Sequence, residues 1–388
     1  MHCSIGERRV KIAIVRQRYN PYGGAERFVE RALAALCHEG AEVTLITRDW
    51  NGAAAAGFRQ MTCNPAYSRF FGGRSARDRS FARCAALEMA RGGYDITQSH
   101  ERIPGCMVFR AGDGVHAAWL EHRARIASPL QRLSQRLSPY HRQVLSAERT
   151  MLAHPGLQTV ICNSQLVADE MVRYYRLPRS KLTVIYNGVD SAQFSPALAA
   201  QHRAATRAEL DIDERTPLLL FVGSGFERKG VPQLLRAAAG MRRAETRLVI
   251  VGADRKLAVM RRLARRLGID QRVHFTGPVQ DVRRWYGAAD GFVLPTFYDP
   301  CPNAALEALA CALPMVTSTT CGAREWVRSG ENGWVIDAAD VEALSRRLDD
   351  LADLRGDPAP RAAARAVAEP LTLSAMAERL LKLYRSLA

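Results

Sequence analysis

Residues Gly291 to Pro314 read GFVLPTFYDPCPNAALEALACALP. The stretch opens on a short apolar run, Gly291 to Leu294, with the length and composition of a buried parallel strand. A proline-rich turn follows, and then an alanine- and leucine-rich segment that predicts a helix opening at Pro302 or Asn303. Two carboxylates frame the turn. Asp299 lies in it, and Glu307 falls in the second helical turn, where a side chain leans back toward the helix N-terminus, so both acids are expected to face one pocket. The N–H groups of Asn303, Ala304 and Ala305 have no intrahelical acceptor and would point into that pocket, which suits a phosphate or a sugar hydroxyl. The same residues would also make a plain strand–helix unit with a solvated Asp and a Glu satisfying local amides.

Outward from this stretch, the second half of the chain repeats one alternation. Apolar runs at Pro217 to Gly223, Arg247 to Gly252, Val273 to Thr276, Met315 to Thr317 and Trp334 to Ile336 each precede a loop and a helical pattern, as in a parallel sheet. The first of these runs leads into Gly223-Ser224-Gly225-Phe226-Glu227-Arg228-Lys229-Gly230. Its glycines let the backbone turn sharply at a strand end, and Arg228 and Lys229 can neutralise a diphosphate, one as a fork and the other as a point charge. Adjacent cations are common on surfaces, but their place at a strand end beside the Asp299–Glu307 unit favours a functional reading.

The first half is read the same way. Val10 to Val15, Glu42 to Thr47, Tyr94 to Gln98, Met107 to Arg110, Thr159 to Cys162 and Leu182 to Tyr186 are predicted strands. After the first comes NPYGGAER, in which Gly23 and Gly24 allow a ligand close to the backbone ahead of a helix from Ala25 to about Cys37; it is not the dinucleotide-binding G-x-G-x-x-G. Ligands collect at the carboxyl ends of parallel strands. The loop from Arg110 to His116 occupies such an end, which makes Asp113 and His116 candidates, although an Asp between two glycines also suits a structural turn. The stretch from Ser195 to Pro217 is rich in alanine and charge and lacks strand signals, so the domain boundary falls between about Asn187 and Arg215, dividing the chain into domains 1–195 and 196–370, with the amphipathic stripe of residues 371–388 expected to pack back on the first.

A chain of 388 residues exceeds what one core supports, in agreement with two domains. Its nine cysteines are scattered and odd in number, without a C-x-x-C pair, and are expected to be reduced core residues, neither disulfides nor a zinc site. No apolar run is long enough to span a membrane and the first nine residues lack a signal-peptide core, so a cytoplasmic protein is expected. The net charge of +16 points to a polyanionic partner. Residues 117–149 combine Leu130, Leu133, Leu137 and Val144 on one helical face with six arginines, a composition that suits either an anionic membrane surface or a core-facing helix with a solvated basic face. The arginines are spread over many helices and no RNA or DNA motif is present, so nucleic acid is not the expected partner. The only D-x-D, Asp211-Ile212-Asp213, lies in the charged boundary segment and reads as turn chemistry, so no metal site is expected.

Taken in order, NPYGGAER, YNGVD, GSGFERKGV, VHFTG and the D-x7-E of DPCPNAALEALACALP resemble the retaining glycosyltransferases of family 4 over essentially the whole chain from Val10. Within that family the pattern is most similar to the lipopolysaccharide-core α-1,3-glucosyltransferases. The resemblance implies the GT-B fold: α/β, two Rossmann-like doubly wound parallel-sheet domains facing a central cleft. It implies further that Gly23 and Gly24 approach the donor phosphates and that Arg228 and Lys229 hold the leaving diphosphate, with Gly223 at the strand end before them a further substrate-binding candidate. Glu307 would take the ribose hydroxyls, the Asn303, Ala304 and Ala305 amides the sugar or phosphate, and the backbone at Gly277 to Val279 the base. Asp113, with His116 as runner-up, would stand near the reacting sugar, and Asp299 would take the place of the first Glu of the family's E-x7-E, one methylene shorter. Pro302 stands where the family has glycine. The activity so implied is metal-independent transfer of a hexose, glucose foremost, from a UDP-sugar to a lipopolysaccharide-core or other lipid-linked acceptor, with retention. The UDP-sugar is donor substrate and no cofactor is implied; the enzyme would sit peripherally on the inner face of the cytoplasmic membrane through 117–149. The alternatives are a same-fold transferase of capsule or exopolysaccharide synthesis with another donor, or a non-enzymatic nucleic-acid-binding protein.

Overall fold

The computed structural model describes residues 9–18, 40–50, 58–68 and 73–387. The helix expected from Ala25 to Cys37, and Gly23 and Gly24, lie outside the described residues. The chain divides into two compact units, Met1–Tyr186 with Ser374–Ala388, and Asn187–Leu373.

The first unit is built on seven parallel strands, β1 (Lys11–Val15), β2 (Glu42–Thr47), β3 (Phe58–Thr62), β4 (Ile96–Ser99), β5 (Val108–Ala111), β6 (Thr159–Cys162) and β7 (Leu182–Val184), in the order β3-β2-β1-β4-β5-β6-β7. The central strands are buried on both faces, as parallel strands covered by helices must be, and β4 and β5 bury the polar Thr97, Gln98, Ser99 and Arg110 beside their apolar residues. Register is set by pairs such as Ile12 with Val43 on one side and Ile96 on the other. Strand β3 has no counterpart in the sequence reading: FRQMT at a sheet edge is largely exposed and carries no apolar period.

The arginine-rich segment 117–149 is three helices, His116–Ile126, Pro129–Leu137 and Pro139–Leu152, and not one. Pro129 and Pro139 each open a helix, where a missing N–H costs nothing, and Ser128 and Ser138 cap the N-termini they precede. The expectation of cysteines without disulfides is also corrected. Cys63, just after β3, is bonded to Cys84 in the Gly73–Arg91 helix, with a Cα–Cα separation of 5.8 Å. The partners are brought together by the packing of that helix, which no local spacing announces. At the far end, the Leu373–Leu387 helix buries Met376, Leu380 and Tyr384, and the Tyr384 hydroxyl donates to Gln98 Oε1 of β4 at 2.6 Å.

The second unit carries six parallel strands, β8 (Leu218–Val222), β9 (Arg247–Val251), β10 (Val273–Gly277), β11 (Gly291–Leu294), β12 (Met315–Ser318) and β13 (Gly333–Ile336), in the order β10-β9-β8-β11-β12-β13. Strand order reverses between β8 and β11, which pair through Leu219–Gly291 and Leu220–Phe292. At such a switch point two loops leave neighbouring strands in opposite senses and open a crevice for ligand. The unit begins at Asn187, the N-terminal edge of the window in which the sequence places the boundary, because 187–195 is tied to it. Asn187 Nδ2 donates to Asn303 Oδ1 at 2.8 Å, and the Val189 N–H donates to Leu371 O at 2.9 Å. Asp213 of the D-x-D accepts from the Arg215 and Thr216 N–H groups and the Thr216 hydroxyl, which is the turn chemistry expected of it. No helix of the described residues is long and apolar enough to cross a membrane.

Candidate functional site

Both loops of the β8/β11 switch point carry residues singled out by sequence. After β8 the backbone passes through Gly223 and Gly225, both at positive φ, and the Gly225–Lys229 turn is anchored by its buried Phe226, whose N–H donates to Asp254 Oδ2 at 2.8 Å. A Cβ on Gly223 would lie 2.7 Å from the Lys229 side chain, so glycine here is what lets the lysine fold back over the strand end. Gly230, at φ 75°, brings the same loop within reach of β11: a Cβ there would meet the Pro295 carbonyl at 2.0 Å. The Arg228 carbonyl accepts from the Phe297 N–H at 2.8 Å and the Thr296 hydroxyl at 3.2 Å, which locks the two loops together.

This clamp puts both cations on one carboxylate. Lys229 Nζ lies 3.0 Å and Arg228 Nη1 3.5 Å from Asp299 Oδ2, and Arg228 also donates to the Tyr298 carbonyl at 2.5 Å. Burial alone would push the Asp299 carboxyl up, but Lys229 and Arg228 beside it hold it below its ordinary value. Asp299 is therefore ionised and presented to the cations. Two positive groups share one negative charge, leaving the cluster able to accept a further anion.

Glu307 takes different partners from Asp299. It is buried in the Asn303–Ala310 helix, where Glu307 Oε2 accepts from the Tyr286 hydroxyl at 3.0 Å; the same hydroxyl lies 3.1 Å from the Ala304 carbonyl. The helix cap at Pro302 offers no side-chain acceptor, and no described residue accepts from the Asn303 or Ala304 N–H groups. Ala305 is a correction: its N–H is turned inward to the Pro302 carbonyl at 3.1 Å and is not offered to a ligand. Gly277, at φ 73°, ends β10, and its carbonyl accepts from the Gly252 N–H at 3.1 Å; half-buried Val279 follows in the loop.

Asp113 and His116 belong to the first unit, at the carboxyl end of β5. Asp113 is exposed, with Arg16 Nη1 3.8 Å away. His116 opens the His116–Ile126 helix; its Nε2 is 3.2 Å from His141 Nδ1 and its ring stacks on Trp119. Burial, then Arg102, His141 and Arg74, lower its pKa to about 3, so the ring is a neutral hydrogen-bonding group. Sequence reasoning missed Glu148. Fully buried within the arginine-rich segment, it accepts from Arg102 Nε at 2.8 Å, the His116 N–H at 3.2 Å and the Tyr175 hydroxyl. It also missed Tyr286. Neither has a signal in local spacing, since each is defined by partners far along the chain.

Two family models match. Glycosyltransferase Family 4 covers residues 22–193 and Glycosyl transferases group 1 covers residues 216–353, together about four-fifths of the chain. The chain belongs to glycosyltransferase family 4. Among curated members of this family, it is 31% identical over 290 residues to the D-inositol 3-phosphate glycosyltransferase of Mycobacterium sp. (strain KMS), matching 70% of this chain but only 62% of that protein's length. It is 27% identical to the lipopolysaccharide glucosyltransferase WaaG of Escherichia coli (strain K12), across 84% of each chain. Among solved structures, that of WaaG superimposes with a TM-score of 0.80 at 24% identity, covering 96% of this chain and 99% of the other. Anabaena HepE in complex with UDP and glucose gives 0.68 at 18% identity, covering 97% and 100%. These likenesses show the GT-B fold of the family, two Rossmann-like parallel-sheet α/β units.

Proposed function

We propose that this chain transfers a hexose, glucose foremost, from a UDP-sugar to a lipopolysaccharide-core or other lipid-linked saccharide, with retention and without a metal. The observation that carries the reading is the Arg228–Lys229–Asp299 cluster at the β8/β11 switch point. Departure of a nucleoside diphosphate builds charge on its phosphate oxygens, and an enzyme meets that charge with a metal or with fixed cations. Here Lys229 and Arg228 are held in place before substrate arrives, and the open Asn303 and Ala304 N–H groups add donors at a helix N-terminus. In this reading Glu307 takes the ribose hydroxyls, Gly223 admits the phosphates, and Gly277 with Val279 borders the base. Asp299 sets the positions of the two cations, and Asp113 or neutral His116 serves the reacting sugar. The Pro129–Leu137 helix supports a peripheral place on an anionic membrane, the inner face of the cytoplasmic membrane, because its Leu130, Leu133 and Leu137 are 80%, 55% and 63% exposed amid arginines. A second reading, transfer to an inositol phosphate, is favoured by the mycobacterial relative.

The test is nucleotide release from UDP-glucose, UDP-galactose, UDP-N-acetylglucosamine and GDP-mannose, with core saccharide and inositol phosphate as competing acceptors. Lys229→Ala and Arg228→Ala should each lower turnover on the order of 100-fold, as does loss of one preorganised donor, while excess chelator should change nothing. Abolition by chelator, with both variants active, would overturn the mechanism; stabilisation by an oligonucleotide and not by UDP would overturn the activity.

A further inference from the structure

The second unit carries a helix at which four arginines have no partner among the described residues. Around Leu257–Arg266, residues Arg255, Arg262, Arg265 and Arg266 are all exposed, and no described carboxylate pairs with any of them. Their neighbours are occupied: Lys256 Nζ lies 2.5 Å from Glu227 and Arg261 Nη2 donates to the Phe275 carbonyl at 3.3 Å. The spacing sets Arg261 against Arg265 and Arg262 against Arg266 one turn apart, two like-charge pairs that each oppose the helix. Exposed helices elsewhere in the same unit are built the opposite way, with Arg346 on Glu342, Arg347 on Asp350 and Arg365 on Glu369.

The arrangement of the face says what could answer these charges. With about 3.6 residues per turn, Val259, Arg262 and Arg266 fall on one side, with Arg255 in the turn just before the helix, while Met260 and Ala264 are buried on the other side. Val259, in the middle of the stripe, is 43% exposed. Arginines ringing an exposed apolar side chain match a surface that is anionic at its face and apolar just beneath. A nucleic acid offers the charge but no layer for Val259 to enter.

We infer that this face docks on an anionic lipid surface, a membrane contact carried by the second unit and separate from the Pro129–Leu137 helix of the first. The inference rests on none of the residues assigned to nucleotide or sugar.

The experiment is sedimentation of the full chain with phosphatidylcholine vesicles of rising phosphatidylglycerol content. The combined Arg262→Gln, Arg265→Gln and Arg266→Gln variant should bind anionic vesicles about 100-fold more weakly, taking roughly fivefold per arginine. Its UDP affinity should be unchanged, and its melting temperature should not fall, because self-repulsion has been removed. An environment-sensitive fluorophore on Val259→Cys should shift to the blue with anionic vesicles only. Unchanged vesicle binding, a lowered melting temperature, no shift at Val259→Cys, or loss of oligonucleotide binding in place of vesicle binding would each overturn the inference. An Arg132→Gln, Arg136→Gln and Arg142→Gln variant, run alongside, reports on the first unit's helix alone, so the two contacts fail separately.

Discussion

Among the described residues, the buried Tyr286 hydroxyl holds Glu307, and that contact makes its assignment testable at the scale of one atom. Tyr286 donates to Glu307 Oε2 at 3.0 Å from a buried ring, so the carboxylate is set in place before any ribose arrives. Glu307→Ala should weaken UDP binding by about 1–3 kcal/mol, the usual worth of hydrogen bonds to a charged group. Tyr286→Phe should weaken it less and in the same direction, with turnover at saturating donor preserved; titration calorimetry on the two variants decides, and unchanged affinity in Glu307→Ala removes it from the nucleotide site. His116 supplies a second residue-scale prediction. Its folded-state pKa of about 3 lies below the ordinary 6.5, so below pH 6.5 the unfolded chain takes up a proton that the native ring refuses. Its contribution is therefore complete above pH 6.5 and is lost as pH falls toward 3. Between pH 7 and pH 5 the parent should lose more unfolding free energy than His116→Asn, measured by urea denaturation at both pH values; parallel profiles would mean that the ring is protonated in the native state.

Elements show where local chemistry was readable and where it was outvoted. The loop from Gly223 to Gly230 and the helix start at Asn303 stand where glycine, proline and apolar period put them, because turns and helix caps are decided by adjacent residues. The apolar stripe of residues 117–149 suggested one helix, but Pro129 and Pro139 take precedence over it, since proline interrupts the hydrogen-bond ladder whatever the period says. The Cys63–Cys84 bond staples edge strand β3 to the Gly73–Arg91 helix across a separation of 21 residues. Removing it by Cys84→Ser should cost about 3 kcal/mol by loop-closure entropy, read as a lowered denaturation midpoint. A reductant should reproduce that loss in the parent and have no effect on the variant.

At the scale of the molecule, the chain closes its first unit with its last helix. Met376, Leu380 and Tyr384 are buried, and Tyr384 satisfies Gln98 within the sheet. Deleting 374–388 would expose three large side chains, each worth about 1.5–3 kcal/mol when buried, and leave a buried amide oxygen without its donor. Calorimetry of the shortened chain should show the first unit melting well below the second, with UDP still raising the second transition. A single transition that keeps the parent's midpoint would show the helix to be dispensable.

What the sequence determined by itself is what short-range chemistry encodes. Alternating apolar runs and helical periods specify a parallel α/β chain in two halves, and the ordered motifs place Gly223, Arg228, Lys229 and Asp299 in the loops after strands and Glu307 in the helix that follows. Tertiary structure alone decided which of these groups meet. The reversal of strand order between β8 and β11 brings Lys229 onto Asp299, though 70 residues separate them, and makes Asp299 the counter-ion of two cations. The same long-range packing gathers Arg102, His116 and Tyr175 on Glu148, carries Cys84 to Cys63 and adds the polar edge strand β3. A side chain's partner depends on which strands lie side by side, and that follows from the packing of the whole sheet, which no window of sequence contains.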